Sequence, residues 1–232
     1  MSVGNRIFLK RNLPESALVE KFQELPTANV ADVMGRSAAM NPRILLISKP
    51  SKPMVGVALT VKARAGDNLL LHKALDMAVV GDVIVVSNEE DGTRSLMGEI
   101  MMNYLAYAKK AAGIVLDGPI RDYDMISQMD FPVYATGSTP NGPYKEGPGE
   151  INVPIACGGV QINPGDIILG DADGVIVIPR LEADSILSEA QLYHAKDNRK
   201  CQEAKNGTSN REWVDKAIAA KGIEVIDNIC CG

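Results

Sequence analysis

The run Asp117-Gly118-Pro119-Ile120-Arg121-Asp122 sets a guanidinium beside a carboxylate directly after the apolar stretch Ile114-Val115-Leu116. Strand-end loops in α/β folds are where ligands gather. An arginine at such a place grips a carboxylate with a two-pronged fork. An aspartate offers hard oxygen to a divalent cation. A local surface ion pair is the other reading that these residues leave open. A second segment, Ser95-Leu96-Met97-Gly98-Glu99-Ile100-Met101, places a glycine where a helix begins. Free N–H groups at a helix start attract anions, and Gly98 lets a ligand come close to the backbone. Glu99 there either holds water at a site or serves as an ordinary first-turn acid.

Other chemistries are poorly supplied. His72 and His194 are the two histidines, too few for a zinc site of several His, and a Ser-His-Asp triad has little support. No G-x-G-x-x-G or P-loop pattern is present. Neither Lys62 nor Lys73 has a context that argues for a Schiff base. Cys157, Cys201, Cys230 and Cys231 form no C-x-x-C pair, and the adjacent Cys230 and Cys231 do not easily bridge each other, which suits a reduced, cytoplasmic setting. The net charge of -5 argues against nucleic acid as a partner. Residues 1–10 carry no long apolar run, and no segment has membrane-spanning length, so neither a secretory signal nor a membrane role is expected.

Positioning these groups requires an α/β frame. With 46% hydrophobic but only 4% aromatic residues, the core must be aliphatic. Periodicity predicts a helix over 14–25, a short helix from Thr27 to Met34 with Thr27 as cap, and a strand over 55–61. Asp67 is expected to cap a helix burying Leu70, Leu71, Ala74, Leu75 and Ala78. A buried strand over 83–86 follows, then a polar loop over 87–94 and a helix running to Ala112. After the strand 114–116 come a short strand over 132–135, a Gly/Pro-rich loop over 136–150, and strands at 151–156, 160–162, 167–169 and 175–178. Helix is expected over about 180–205 and 211–220. The organisation is one α/β domain over 1–179 with a C-terminal helical arm over 180–232.

The motifs Ala65-Gly66-Asp67-Asn68-Leu69, Gly81-Asp82-Val83, Gly98-Glu99, Gly118-Pro119-Ile120-Arg121-Asp122, Pro164-Gly165-Asp166 and Asp173-Gly174-Val175 occur in the order typical of RraA-like proteins, so the chain resembles that family over roughly residues 28–180. The tail from Ala220 to Asp227 also looks like the ending of the family's branch of 4-hydroxy-4-methyl-2-oxoglutarate/4-carboxy-4-hydroxy-2-oxoadipate aldolases. The resemblance implies a layered β/β/α core of the phosphohistidine-swivelling-domain-like type, assembled as a homotrimer or dimer of trimers. It implies that Asp122 ligates Mg²⁺ or Mn²⁺ and that Arg121 holds the substrate and stabilises an enolate. It implies that main-chain N–H groups from Gly98 through Glu99 and Ile100 to Met101 bind substrate.

Glu99 stands where the family usually has Asp, keeping the charge but lengthening its reach. The family's aldolases also take an acid from a neighbouring subunit's arm; Asp197 is the best match, with Glu203 behind it. The activity implied is a lyase cleaving a 4-hydroxy-2-oxo dicarboxylic acid, or decarboxylating oxaloacetate, to release pyruvate. The alternative is the family's regulator branch, which binds a ribonuclease without catalysis.

Overall fold

The computed structural model describes residues 3–230; Cys231, one half of the adjacent cysteine pair, lies outside them. In chain order the elements are β1 (Asn5–Ile7), α1 (Ser16–Lys21), α2 (Thr27–Val33), β2 (Leu45–Leu46), β3 (Met54–Ala63), α3 (Leu69–Met77), β4 (Asp82–Ser87), α4 (Glu99–Asn103), β5 (Gly113–Leu116), α5 (Tyr123–Ile126), β6 (Val133–Ala135), β7 (Gly149–Ile151), β8 (Ile155–Cys157), β9 (Val160–Ile162), β10 (Ile167–Asp171), β11 (Gly174–Ile178), α6 (Ala183–Lys205) and α7 (Glu212–Ala220).

Strands β3, β4, β5 and β6 lie side by side and parallel, joined through helical crossovers. A parallel strand covered on both faces reads as a continuous apolar run, and Val83 to Val86 of β4 are all fully buried. Their side chains alternate between two cores, as a period of two requires. Ile84 and Val86 join Leu71, Ala74 and Leu75 of α3 on one face. Val83 and Val85 join Ile155, Cys157 and Ile162 of the β8–β9 hairpin on the other. Helices, sheet and hairpin are therefore three layers, the β/β/α arrangement expected. Strand β3 pairs with β10 along its first residues and with β7 along its last, both antiparallel. A third core gathers Ile167 and Leu169 of β10, Ile176 and Ile178 of β11, and Phe22, Leu25 and Val30 near the N-terminus.

Three sequence expectations need correction. The helix predicted to reach Ala112 is α-helical only to Asn103, then becomes a π-helical turn over Tyr104–Ala108. The strand predicted over 151–156 is two strands, because Asn152 takes a left-handed φ of 57° and bends the chain between β7 and β8. Thr27 is the first residue of α2 rather than its cap; its hydroxyl donates to Asp171 instead.

The chain divides into two units, Met1–Gln191 and Leu192–Gly232, and α6 runs through the division. The described part of the second unit holds the end of α6 and α7. Its exposed apolar side chains include Leu192, Trp213, Ile223, Val225, Ile226 and Ile229. Among the described residues no helix is long and apolar enough to cross a membrane.

Candidate functional site

The site assembles from two loops at the C-terminal ends of adjacent strands. After β5 the chain leaves the sheet at Asp117, whose N–H donates to the Val86 carbonyl of β4 at 3.0 Å. Gly118 must pass close to the neighbouring loop: a Cβ there would lie 2.7 Å from Asn88 Nδ2 and 3.0 Å from Leu96 Cδ1. Further on, the Arg121 N–H donates to the Met97 carbonyl at 2.9 Å, and the Ile120 N–H to the Gly137 carbonyl at 2.9 Å. Backbone pairing thus fixes where the Arg121 and Asp122 side chains begin.

Arg121 and Asp122 are both near half-exposed, with side-chain exposures of 48% and 43%. Arg121 Nε lies 3.7 Å from Asp122 Oδ2, an ion pair too long to be a hydrogen bond. That same Oδ2 accepts the Glu99 N–H at 3.0 Å. Asp122 sits in the left-handed region at φ 57° and immediately precedes α5. Gly98 packs against the pair so closely that a Cβ would collide with Asp122 Oδ2 and approach Arg121 Nε to 2.9 Å. Its own φ is -132°, an ordinary extended value, so it is space rather than backbone freedom that calls for glycine.

Arg121 lines two adjoining clefts. One, of about 370 Å³, runs past Gly98, Ile100 and Met101 to Asn68, His72 and Lys145. The other, of about 380 Å³, holds Asp122, Tyr123 and Ser138–Pro140. The far wall of the first is well secured. Asp67 accepts the N–H groups of Leu69, Glu146 and Gly147, tying the start of α3 to the segment that carries Lys145. Arg94 stacks over the Tyr144 ring at 4.0 Å and donates to the Gly142 carbonyl. Asn68 Nδ2 donates to the Leu96 carbonyl at 2.9 Å. Burial, and then the charge of Lys145, lower the pKa of His72, against a smaller opposing pull from Asp76; the imidazole is held toward its neutral form.

Under the loop lies a buried polar floor. Asp117 is 3% exposed and accepts Arg43 Nη2 at 2.8 and 2.9 Å and the Gly158 N–H at 3.1 Å. That pairing raises the pKa of Arg43. Cys157 is fully buried beside it, with Sγ 3.6 Å from the Val86 carbonyl; burial, and next the Asp117 charge, push its pKa well up and keep it a thiol.

Arg121, Asp122, Gly98 and the main chain of Glu99 therefore meet, while Ile100 and Met101 border the same cleft. The Glu99 N–H, one of the candidate substrate donors, is already engaged by Asp122. Asp197 and Glu203 lie on α6 within the second unit. Lys145, Arg43 and the wall role of Asn68 do not emerge from sequence reasoning. Lys145 follows a Gly/Pro-rich stretch that reads as plain loop, and Arg43 is 74 residues from its partner. Among the described residues no three His, Cys, Asp or Glu side chains cluster as a metal cage. A lone, accessible carboxylate suits a hard cation that keeps most of its water, and Asp122 fits that description.

The sequence matches the RraA-like family, Aldolase/RraA, over residues 27–177. A protein of Halalkalibacterium halodurans, provisionally named 4-hydroxy-4-methyl-2-oxoglutarate aldolase, is 37% identical over 205 residues, covering 88% of this chain and 97% of its own. The 4-hydroxy-4-methyl-2-oxoglutarate aldolase of Thermus thermophilus is 34% identical over 113 residues, 49% of this chain and 68% of its own. The solved RNA-processing inhibitor RraA from Thermus superposes with a TM-score of 0.62 at 27% identity, covering 67% of this chain and 93% of that one.

Proposed function

The chain belongs to the RraA-like family, and from that premise we propose that it is a divalent-metal-dependent aldolase, a carbon–carbon lyase that releases pyruvate from a 4-hydroxy-2-oxo dicarboxylic acid. The observation that carries this reading is Arg121 beside Asp122 at a strand end, opening into a cleft rimmed by the start of α4. Its relatives' names point the same way.

In this reading the 2-oxo oxygen of the substrate pairs with the Arg121 guanidinium. Main-chain N–H groups of Gly98, Ile100 and Met101 take the adjacent carboxylate; those of a helix's first turn have no intrahelical partner. A base removes the proton of the 4-hydroxyl, and the C3–C4 bond breaks. The bonding pair passes to C3 and the 2-oxo group as a pyruvate enolate, while C4 leaves as a new carbonyl. A proton added at C3 completes pyruvate. Arg121 stabilises the oxyanion as it develops. Glu99, and Asp197 supplied by the arm of a neighbouring subunit, are the candidates for the two proton movements. Asp122 would hold Mg²⁺ or Mn²⁺, which would supply Lewis-acid polarisation of the keto group. Oxaloacetate decarboxylation would pass through the same enolate, with CO₂ leaving in place of the C4 carbonyl fragment.

The proposed assembly is a trimer or a dimer of trimers. The exposed Trp213, Val225, Ile226 and Ile229 of the second unit are surface that such an assembly would cover. The likeness to an RNA-processing inhibitor favours one rival reading, a ribonuclease-binding regulator without catalysis. One experiment separates them: pyruvate release from a panel of 4-hydroxy-2-oxo acids and oxaloacetate, run beside ribonuclease binding. Chelation is expected to abolish release and Mg²⁺ or Mn²⁺ to restore it. A full rate after exhaustive chelation would remove the metal from the proposal. Ribonuclease binding without any pyruvate would replace the aldolase with the regulator.

A further inference from the structure

The two loops that form the site touch without slack. Met97 accepts the Arg121 N–H, Gly98 leaves no room for a Cβ against Arg121 and Asp122, and the Glu99 N–H reaches Asp122 at 3.0 Å. A small change in spacing between the loops would therefore be felt at Arg121 and Asp122 first. A further tie between the two loops runs through Arg43. Arg43 Nη2 reaches both oxygens of Asp117, at 2.8 and 2.9 Å, and Nε reaches Oδ1 at 3.2 Å. Asp117 is the foot of the loop after β5. The same Nη2 lies 3.1 Å from Glu90 Oε1, in the loop after β4. Glu90 and its neighbour Glu89 both take left-handed backbone, at φ 61° and 51°, in the turn that presents this carboxylate. Asp117 also accepts the Gly158 N–H, anchoring the cluster to the turn between β8 and β9. Arg43 thus spans the feet of both site loops with a rigid, multiply bonded fork.

We infer that Arg43 is a positioning residue for the reaction, setting the spacing of the two strand-end loops and through it the placement of Arg121 against Asp122. The inference rests on the aldolase reading for its kinetic consequence. Arg43 touches neither clefts nor reacting groups in this role; it acts through Asp117 and Glu90. Supporting residues of this kind commonly change activity or metal affinity by about 10- to 100-fold when removed.

The test compares Arg43→Ala, Arg43→Lys and Glu90→Gln in the full chain. It measures kcat and KM for pyruvate release, thermal unfolding, and amide hydrogen exchange at Glu99 and Arg121. Arg43→Ala is expected to lower kcat about 10- to 100-fold, with a much smaller change in KM, and to speed exchange at Glu99 and Arg121 while β3 and β4 keep their protection. Arg43→Lys keeps charge without the fork and should recover part of kcat. Glu90→Gln should show the same pattern more weakly. A purely structural role would lower the unfolding temperature and leave kcat and local exchange of the folded protein unchanged, which would overturn the inference. If Arg43→Ala does not fold, Arg43→Lys decides: wild-type kcat and wild-type exchange there overturn it equally. If the wild-type protein releases no pyruvate from any acid, the aldolase reading falls, and exchange at Glu99 and Arg121 still decides whether Arg43 positions the loops.

Discussion

Asp117 and Asp122 stand at the base and tip of one loop, five positions apart, and the fold treats them as opposites. Asp117 is 3% exposed and has Arg43 and the Gly158 N–H on its oxygens. Asp122 is near half-exposed, receives one main-chain N–H, and stands 3.7 Å from Arg121. A buried carboxylate with its acceptors filled does structural work, because any change leaves charge stranded. A carboxylate with spare lone pairs beside a cleft has something left to offer a ligand. Sequence proximity thus says little about role; the number of bonds already made says more.

The sharpest way to break this contrast is at the tip. Asp122→Asn keeps shape and tolerates left-handed backbone, so the unfolding temperature should hardly move while pyruvate release falls by about 100-fold or more. Arg121→Ala should lower kcat as well as raise KM, since a group that binds ground state and enolate alike serves both. Wild-type kcat/KM in either folded variant would remove the tip from the mechanism.

At the base stability falls together with activity, because Asp117 anchors Arg43. Asp117→Asn leaves Arg43 with Glu90 as its remaining carboxylate, and weakening such a pair costs about 2–3 kcal/mol, at or below the usual range because Arg43 is partly exposed. That corresponds to a fall of about 5–10 °C in Tm for a chain this size, measured by calorimetry. An unchanged Tm would erase the distinction.

Gly98→Ala tests where base and tip meet. The new methyl must displace Asp122 or Arg121, so activity should drop roughly tenfold, with about 1–2 kcal/mol lost to overpacking. Normal rates would mean that the loops separate easily.

The smallest effect concerns pH. The pKa of His72 is lowered in the fold, chiefly by burial and Lys145, so below its unfolded value the unfolded chain binds more protons. Its contribution to stability is present above about pH 6.5 and fades as pH falls toward the folded pKa. NMR titration should place His72 below the unfolded value, and His72→Gln should flatten stability in that window. A normal or raised pKa would contradict the cleft wall described above.

The tip was legible in sequence because its chemistry is local: Gly-Pro, then Arg-Asp, after three β-branched or aliphatic residues. The parallel strands were legible as continuous apolar runs. The base was not, because Arg43 and Asp117 join only when the sheet forms. The overextended helix and the single strand over 151–156 failed for a related reason. Apolar periodicity persists through a π turn or a bend, while the backbone hydrogen bonds that decide the matter leave no compositional trace. Lys145 belongs to a segment ordered by Asp67 and Arg94 rather than by its own residues.

The buried thiol of Cys157 gives the protein a built-in clock. Its sulfur is sealed under the loop base and held protonated, whereas Cys201 and Cys230 are exposed. An alkylating reagent should therefore label Cys201 and Cys230 first and wait on local opening for Cys157. The lag before Cys157 reacts, followed by mass spectrometry in native buffer, measures how often the floor beneath Arg121 comes apart.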